Sequence, residues 1–271
     1  MFQVLRASEA QYLQQQRYAT VGIAAARRAW GLGSPVGMLP ALTVLQGLAA
    51  RGGADGVEAV LAEQNIDAPA SAEVNTELLT GIASDGRPLG SLLEQAETVQ
   101  ALELMVVTQL ADARRVAAGL SIATRQDVGW TRMVNPPCCA RCAILAGKFF
   151  RWNAGFDRHP GCDCSAIPTQ EDVAGDVRTD PQALFNQGLV NGVTKAEQKA
   201  ISAGADLNQV VNARRSIYMD PAGRRLTREA TTSRGGRGIN GIRPTPEQIY
   251  REAREDQAVA LGLLRRFGYI I

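Results

Sequence analysis

All five cysteines and the only histidine of this 271-residue chain fall within 27 residues. They read Cys138-Cys139-Ala140-Arg141-Cys142 and, after 16 intervening residues, His159-Pro160-Gly161-Cys162-Asp163-Cys164. A C-x2-C hook and an H-x2-C-x-C hook joined by a hairpin-sized excursion are what a short peptide needs to surround a tetrahedral ion. Six candidates compete for about four positions, so at least one stands outside the coordination sphere. The spacing favours Cys139, Cys142, His159 and Cys162, with Cys164 as the fifth candidate. Cys138 abuts Cys139 and is expected to point the other way. Zinc in a structural role is the cofactor this donor set implies. Residues 135–168 hold too few large apolar side chains to bury a core of their own, whereas a bound ion supplies folding energy directly. Two other chemistries use the same residues. One is a disulfide or hydrogen-bonded staple, although an odd number of thiols leaves one over. The other is a Cys–His nucleophile pair with Cys139 or Cys162 beside His159.

The rest of the chain reads as soluble and mainly helical. Hydrophobic residues make up 45% of it, too many for a disordered protein. No apolar run approaches the roughly 20 residues that cross a bilayer, and the first residues lack a basic segment followed by an apolar one. An intracellular, globular protein without a membrane role is expected. Apolar residues from Leu89 to Leu120 recur at spacings of three and four. With a Ser91/Glu94 capping box, they predict one helix over about 92–122. Segments 8–30 and 40–50 are its expected partners, broken by Gly31, Gly33, Pro35 and Gly37 and ended by Gly52–Gly53. The expected fold is therefore mainly α. It comprises a helical N-terminal bundle or hairpin, a small Cys/His-rich α+β knuckle and a helical C-terminal region.

The pattern changes at Asn135-Pro136-Pro137, and Phe149–Phe150 predicts a short strand. Trp130, Phe149, Phe150, Trp152 and Phe156 flank the cysteines and are expected to pack over the knuckle rather than stack on bases. Further on, Thr194 with Glu197 forms a second capping box, Gly204 closes that helix and Asp206 caps the next. Thr245-Pro246 opens a last helix, expected to run to about Phe267 and stop at Gly268. Two regions follow: 1–130, a helical docking region, and 131–271, containing the knuckle (135–168) and a basic helical part.

Charge is unevenly spread. Residues 212–271 carry 12 cations, all arginine, against 6 acids, while residues 1–130 carry 9 against 13. Arg224, Arg225, Arg228, Arg234 and Arg237 are candidates for contact with nucleic acid or an acidic partner face, or form a solvated surface. Enzyme signatures are missing. There is no G-x-S-x-G, P-loop, dinucleotide fingerprint or H-E-x-x-H. The zinc-deaminase order needs H-x-E upstream of the C-x2-C, whereas the histidine here lies downstream.

The stretch NPPCCARCAILAGKFFRWNAGFDRHPGCDCSAIP (135–168) resembles the cysteine-rich core of MuF-like minor capsid proteins, the head-morphogenesis family of tailed bacteriophages. The shared elements are Cys139 and Cys142, the Leu145–Phe149 turn, and His159 to Cys164 followed by Pro168. Segments 193–215, 227–236 and 243–270 look like the actinobacterial-phage branch. The resemblance implies a low-copy head component, added near the portal vertex or in the head interior during procapsid assembly in the host cytoplasm. Portal protein and major capsid protein would be its partners, and packaged DNA a further one. Similar proteins are often labelled capsid maturation proteases. A Ser–His–Asp version of that activity would depend on His159, so protease acting on scaffold or capsid protein is the alternative reading.

Overall fold

A computed structural model describes residues 5–174, 180–229, 242–254 and 256–270. It is about 53% helical with small sheets, the mainly α fold with an α+β part that the sequence leads one to expect. The chain divides into two compact units that interleave: residues 1–135 with 146–179, and residues 136–145 with 180–271. The segment 135–168 is thus shared between the two.

The first unit is built on three long helices, α1 (Arg6–Gly31), α2 (Leu39–Glu63) and α4 (Val99–Ala123), with the short α3 (Leu89–Leu93) between the last two. Their apolar stripes meet in a core that includes Leu42, Leu45, Leu89, Leu93, Leu102, Val106 and Leu110. Gly31 ends α1 as expected, and Gly33 takes the left-handed φ of +69° that glycine tolerates best. Two expectations fail. The helix over 92–122 is two helices, because Thr98 turns the chain and caps α4 by accepting from the Ala101 N–H at 3.1 Å; Ser91 lies inside α3 and caps nothing. Gly52–Gly53 does not end α2. A Cβ on Gly53 would lie 2.2 Å from the Arg114 carbonyl oxygen, so this glycine marks the close approach of α2 to α4. At the end of α4 the chain enters a three-stranded antiparallel sheet. Its central strand β1 (Gly129–Met133) is flanked by β3 (Phe149–Phe150) and β4 (Ser165–Thr169).

The second unit begins with β2 (Cys138–Cys139) and α5 (Ala140–Ala143), followed after residue 180 by α6 (Pro181–Asn186) and β5 (Val190–Asn191). Strand β2 pairs in parallel with β5. Helices α7 (Lys195–Ser202) and α8 (Leu207–Asn212) follow, capped by Thr194 and Asp206. The Thr194/Glu197 box is reciprocal, as the sequence suggests, and Gly204 has φ +96°. A small sheet orders β6 (Tyr218–Met219), β7 (Arg225–Thr227) and β8 (Arg243–Pro244). The helix opened by Thr245 stops early: α9 (Pro246–Ala253) ends in a left-handed Arg254, and α10 (Gln257–Arg266) restarts on an Asp256 cap. The unit's core joins Ala140 and Ile144 to Ile201, Val210, Ile249, Leu264 and Tyr269.

Candidate metal-binding hooks

The second unit carries the C-x2-C hook. Cys138 is buried and its N–H donates to the Leu189 carbonyl, which fixes β2 against β5. Successive strand residues face opposite sides, so Cys139 points away from Cys138. Cys139 then caps α5, its sulfur accepting from the Cys142 N–H at 3.4 Å. The two sulfurs, of Cys139 and Cys142, lie within 4.8 Å of each other. Tetrahedral zinc with bonds of about 2.3 Å holds its sulfurs about 3.8 Å apart, so a small rotamer adjustment suffices. Arg214 pairs with Glu197, which raises its pKa above the ordinary value, and Cys139 adds a smaller electrostatic contribution in the same direction.

The first unit carries the second hook. His159-Pro160-Gly161-Cys162 is a tight turn: the Cys162 N–H donates to the His159 carbonyl at 3.1 Å and Gly161 has φ +72°. Pro at the second and Gly at the third position are the residues a type II turn selects. His159 is exposed, with Nδ1 2.9 Å from the Pro160 carbonyl. The tautomer that donates from Nδ1 carries its lone pair on Nε2, the nitrogen a metal would take. Cys162 and Cys164 are both buried, and their sulfurs also lie within 4.8 Å of each other.

Helix α4 holds this loop with polar residues spaced i, i+4 and i+7. Thr108 Oγ1 accepts from the Gly161 N–H at 3.1 Å, Asp112 pairs with Arg158, and Arg115 donates from Nε to the Cys164 carbonyl at 3.0 Å and from Nη2 to that of Cys162. Burial pulls the Arg115 guanidinium below its ordinary pKa, while Cys162, Asp112 and Cys164 push it back up. Across from them, Asn135 donates to the Asp163 carbonyl and Tyr12 to its carboxylate. None of these supporting groups belongs to the cysteine motif. Thr108, Asp112 and Arg115 leave only one trace in the sequence, polarity at one face of the otherwise apolar α4. The thiols of Cys139, Cys142, Cys162 and Cys164 and the imidazole of His159 form donor sets of the kind that hold a metal ion.

No protein-family model, curated protein or solved structure matches the chain significantly. No described helix is long and apolar enough to cross a membrane.

The remaining sequence candidates scatter. Arg224 is exposed but pairs with Asp220 at 2.7 Å; Arg225 lies half-buried on β7; Arg228 sits over the Tyr218 ring at 5.6 Å; Arg234 and Arg237 lie outside the described residues. Two further arginines of this region are taken up by partners within the unit, Arg214 half-buried and Arg243 fully buried. Arg214 pairs with Glu197, and Arg243 is fully buried over Tyr269, donating to the Phe267 and Gln209 carbonyls. The aromatics near the cysteines are occupied as well. Trp130 stacks on Phe150 and Phe156 with centroids 4.3 and 5.0 Å away, and Arg132 covers the Phe156 ring at 4.0 Å. Trp152 remains exposed.

Proposed function

We propose that the chain is a minor capsid, head-morphogenesis protein of a tailed bacteriophage. It enters the procapsid at low copy near the portal and carries one structural zinc ion drawn from Cys139, Cys142, His159, Cys162 and Cys164. One observation carries the reading: both thiol pairs are pre-set within the same segment, 135–168, that resembles the cysteine-rich core of this family. Within the first unit Met133 pairs with Ser165, next to Cys164, so the sheet anchors the second hook. Thiolates with one imidazole suit zinc better than harder cations. The long helices of residues 1–130 offer the docking surface for portal and major capsid protein.

Quantitative mass spectrometry of purified procapsids and mature virions tests the assignment. A few intact copies per particle in both are expected. Absence from both would overturn it, and self-cleavage between the two stages would replace it with the maturation protease. Metal analysis of the purified chain is expected to give one zinc, and chelation followed by alkylation in denaturant should label all five cysteines. Four protected thiols without metal would mean disulfides instead.

A further inference from the structure

A cavity of about 260 Å³ lies between α1 and α4, closed on one side by the segment 161–165. The two helices run antiparallel here: Gln11 bonds Arg114, Gly22 abuts Val106 and Leu110, and Arg27 pairs with Glu103. The cavity consequently has two unlike ends. Tyr12, Gln15 and Arg114 line one, and Ile23 and Val107 line the other.

The polar end is under-compensated. Arg114 is 8% exposed, and its Nη atoms donate only to neutral oxygens, Ser165 Oγ at 2.9 Å and Gln11 Oε1 at 3.0 Å. Its Nε has no acceptor, and among the described residues no carboxylate lies within 4.0 Å of it. Asp112, a buried acid on the same helix, is already shared by Arg115 and Arg158. Asp163 on the cavity wall is exposed and held by the Tyr12 hydroxyl at 3.2 Å. A buried charge without a counter-ion is costly, and burial beside Arg115 lowers the Arg114 pKa to about 10. Gln15, 9% exposed, presents a second unmet need: its Oε1 has no donor.

These demands together define a ligand. It brings an anionic oxygen to the guanidinium, an N–H to the glutamine carbonyl, and an apolar body to Ile23 and Val107. We infer that the cavity between α1 and α4 binds an α-carboxylate with an adjacent N–H and an apolar side chain. That is the chemistry of a peptide C-terminus or of a free apolar amino acid. Arginine meets carboxylates in a planar, two-point geometry that lysine does not reproduce.

Titration of the full chain, zinc-loaded, with N-acetyl-leucine, free leucine and N-acetyl-leucinamide, followed by amide NMR shifts, tests this. Saturable binding of N-acetyl-leucine is expected, with shifts clustered on residues 12–23 and 107–115, and binding at least about tenfold weaker for the amide, which lacks the charge. Tighter binding of N-acetyl-leucine than of leucine marks a peptide C-terminus, and the reverse order marks the free amino acid. Arg114→Gln should weaken binding about tenfold or more. Ile23→Trp, which fills the apolar end without touching the charge, should abolish it in a chain whose circular dichroism is unchanged. Equal affinity for acid and amide, or no saturation by either acid, would overturn the inference.

Discussion

Arg115 donates to two backbone carbonyls and approaches a carboxylate, and in doing so sets the position of two candidate ligands. Its acceptors at Cys162 and Cys164 lie 47 and 49 residues further along the chain. Replacing it with Met would leave two buried carbonyls without donors while Arg158 keeps Asp112 paired. A loss of about 2–4 kcal/mol is expected, read as a lower urea midpoint at unchanged slope. The caps at Thr194, Asp206 and Thr245 were legible from sequence because a capping hydroxyl or carboxylate and the N–H it serves lie two or three residues apart. Arg115, Arg132 and Arg243 were not. A buried guanidinium is recognised by its partners, and those are brought to it by the fold. In the sequence Arg243 joined a basic tail, whereas in the fold it supports a core beside Tyr269.

At the scale of elements the same glycine pattern had two meanings. A Gly–Gly pair ends many helices, but it also lets two helices touch backbone to backbone, and only the partner decides which. Gly53 faces the Arg114 carbonyl. Gly53→Ala is therefore expected to cost about 1–3 kcal/mol through overpacking. Gly31→Ala, with nothing within 4 Å of the added carbon, should be neutral or slightly stabilising. Thermal unfolding of the two variants separates these outcomes. Helix α1 supplies a second case. Its N-cap is Leu5, which caps nothing, and the Arg6 and Ala7 N–H groups donate instead to Glu63 of α2 at 2.8 Å each. These bonds hold the Glu63 carboxyl below its ordinary value of 4.5. A lowered folded pKa means stabilisation that is full above 4.5 and fades as the pH falls through the folded value. Protection factors of the Arg6 and Ala7 amides, taken against the intrinsic exchange rate at each pH, should fall over that acid range, and Glu63→Gln should remove most of this pH dependence. A flat profile in the wild type would refute the cross-helix cap.

For the molecule as a whole, the sequence marked the break at Asn135–Pro136 but not that the chain returns to the first unit at residue 146. That return depends on β3 and β4 pairing with β1, contacts between residues about 20 to 40 apart in sequence, which local patterns do not encode. The interleaving changes what metal removal should do. A self-contained knuckle would unfold throughout 135–168 when its ion is lost. Here β4 is locked to β1, and the loop before it is tied to Thr108, Asp112 and Arg115 by bonds that need no metal. The hook at 138–142 has less of its own: a two-residue strand, one short helix and the apolar anchors Ala140 and Ile144. Chelation, or Cys142→Ser, is thus expected to speed amide exchange over residues 138–145 and 159–164 while 129–133 and 165–169 remain protected. Hydrogen exchange with and without chelator reads this peptide by peptide. No change in either hook would exclude an ion as a structural element. Loss of protection across α1, α2 and α4 would instead make the metal a condition for folding the entire first unit, which the metal-independent anchoring of the loop argues against.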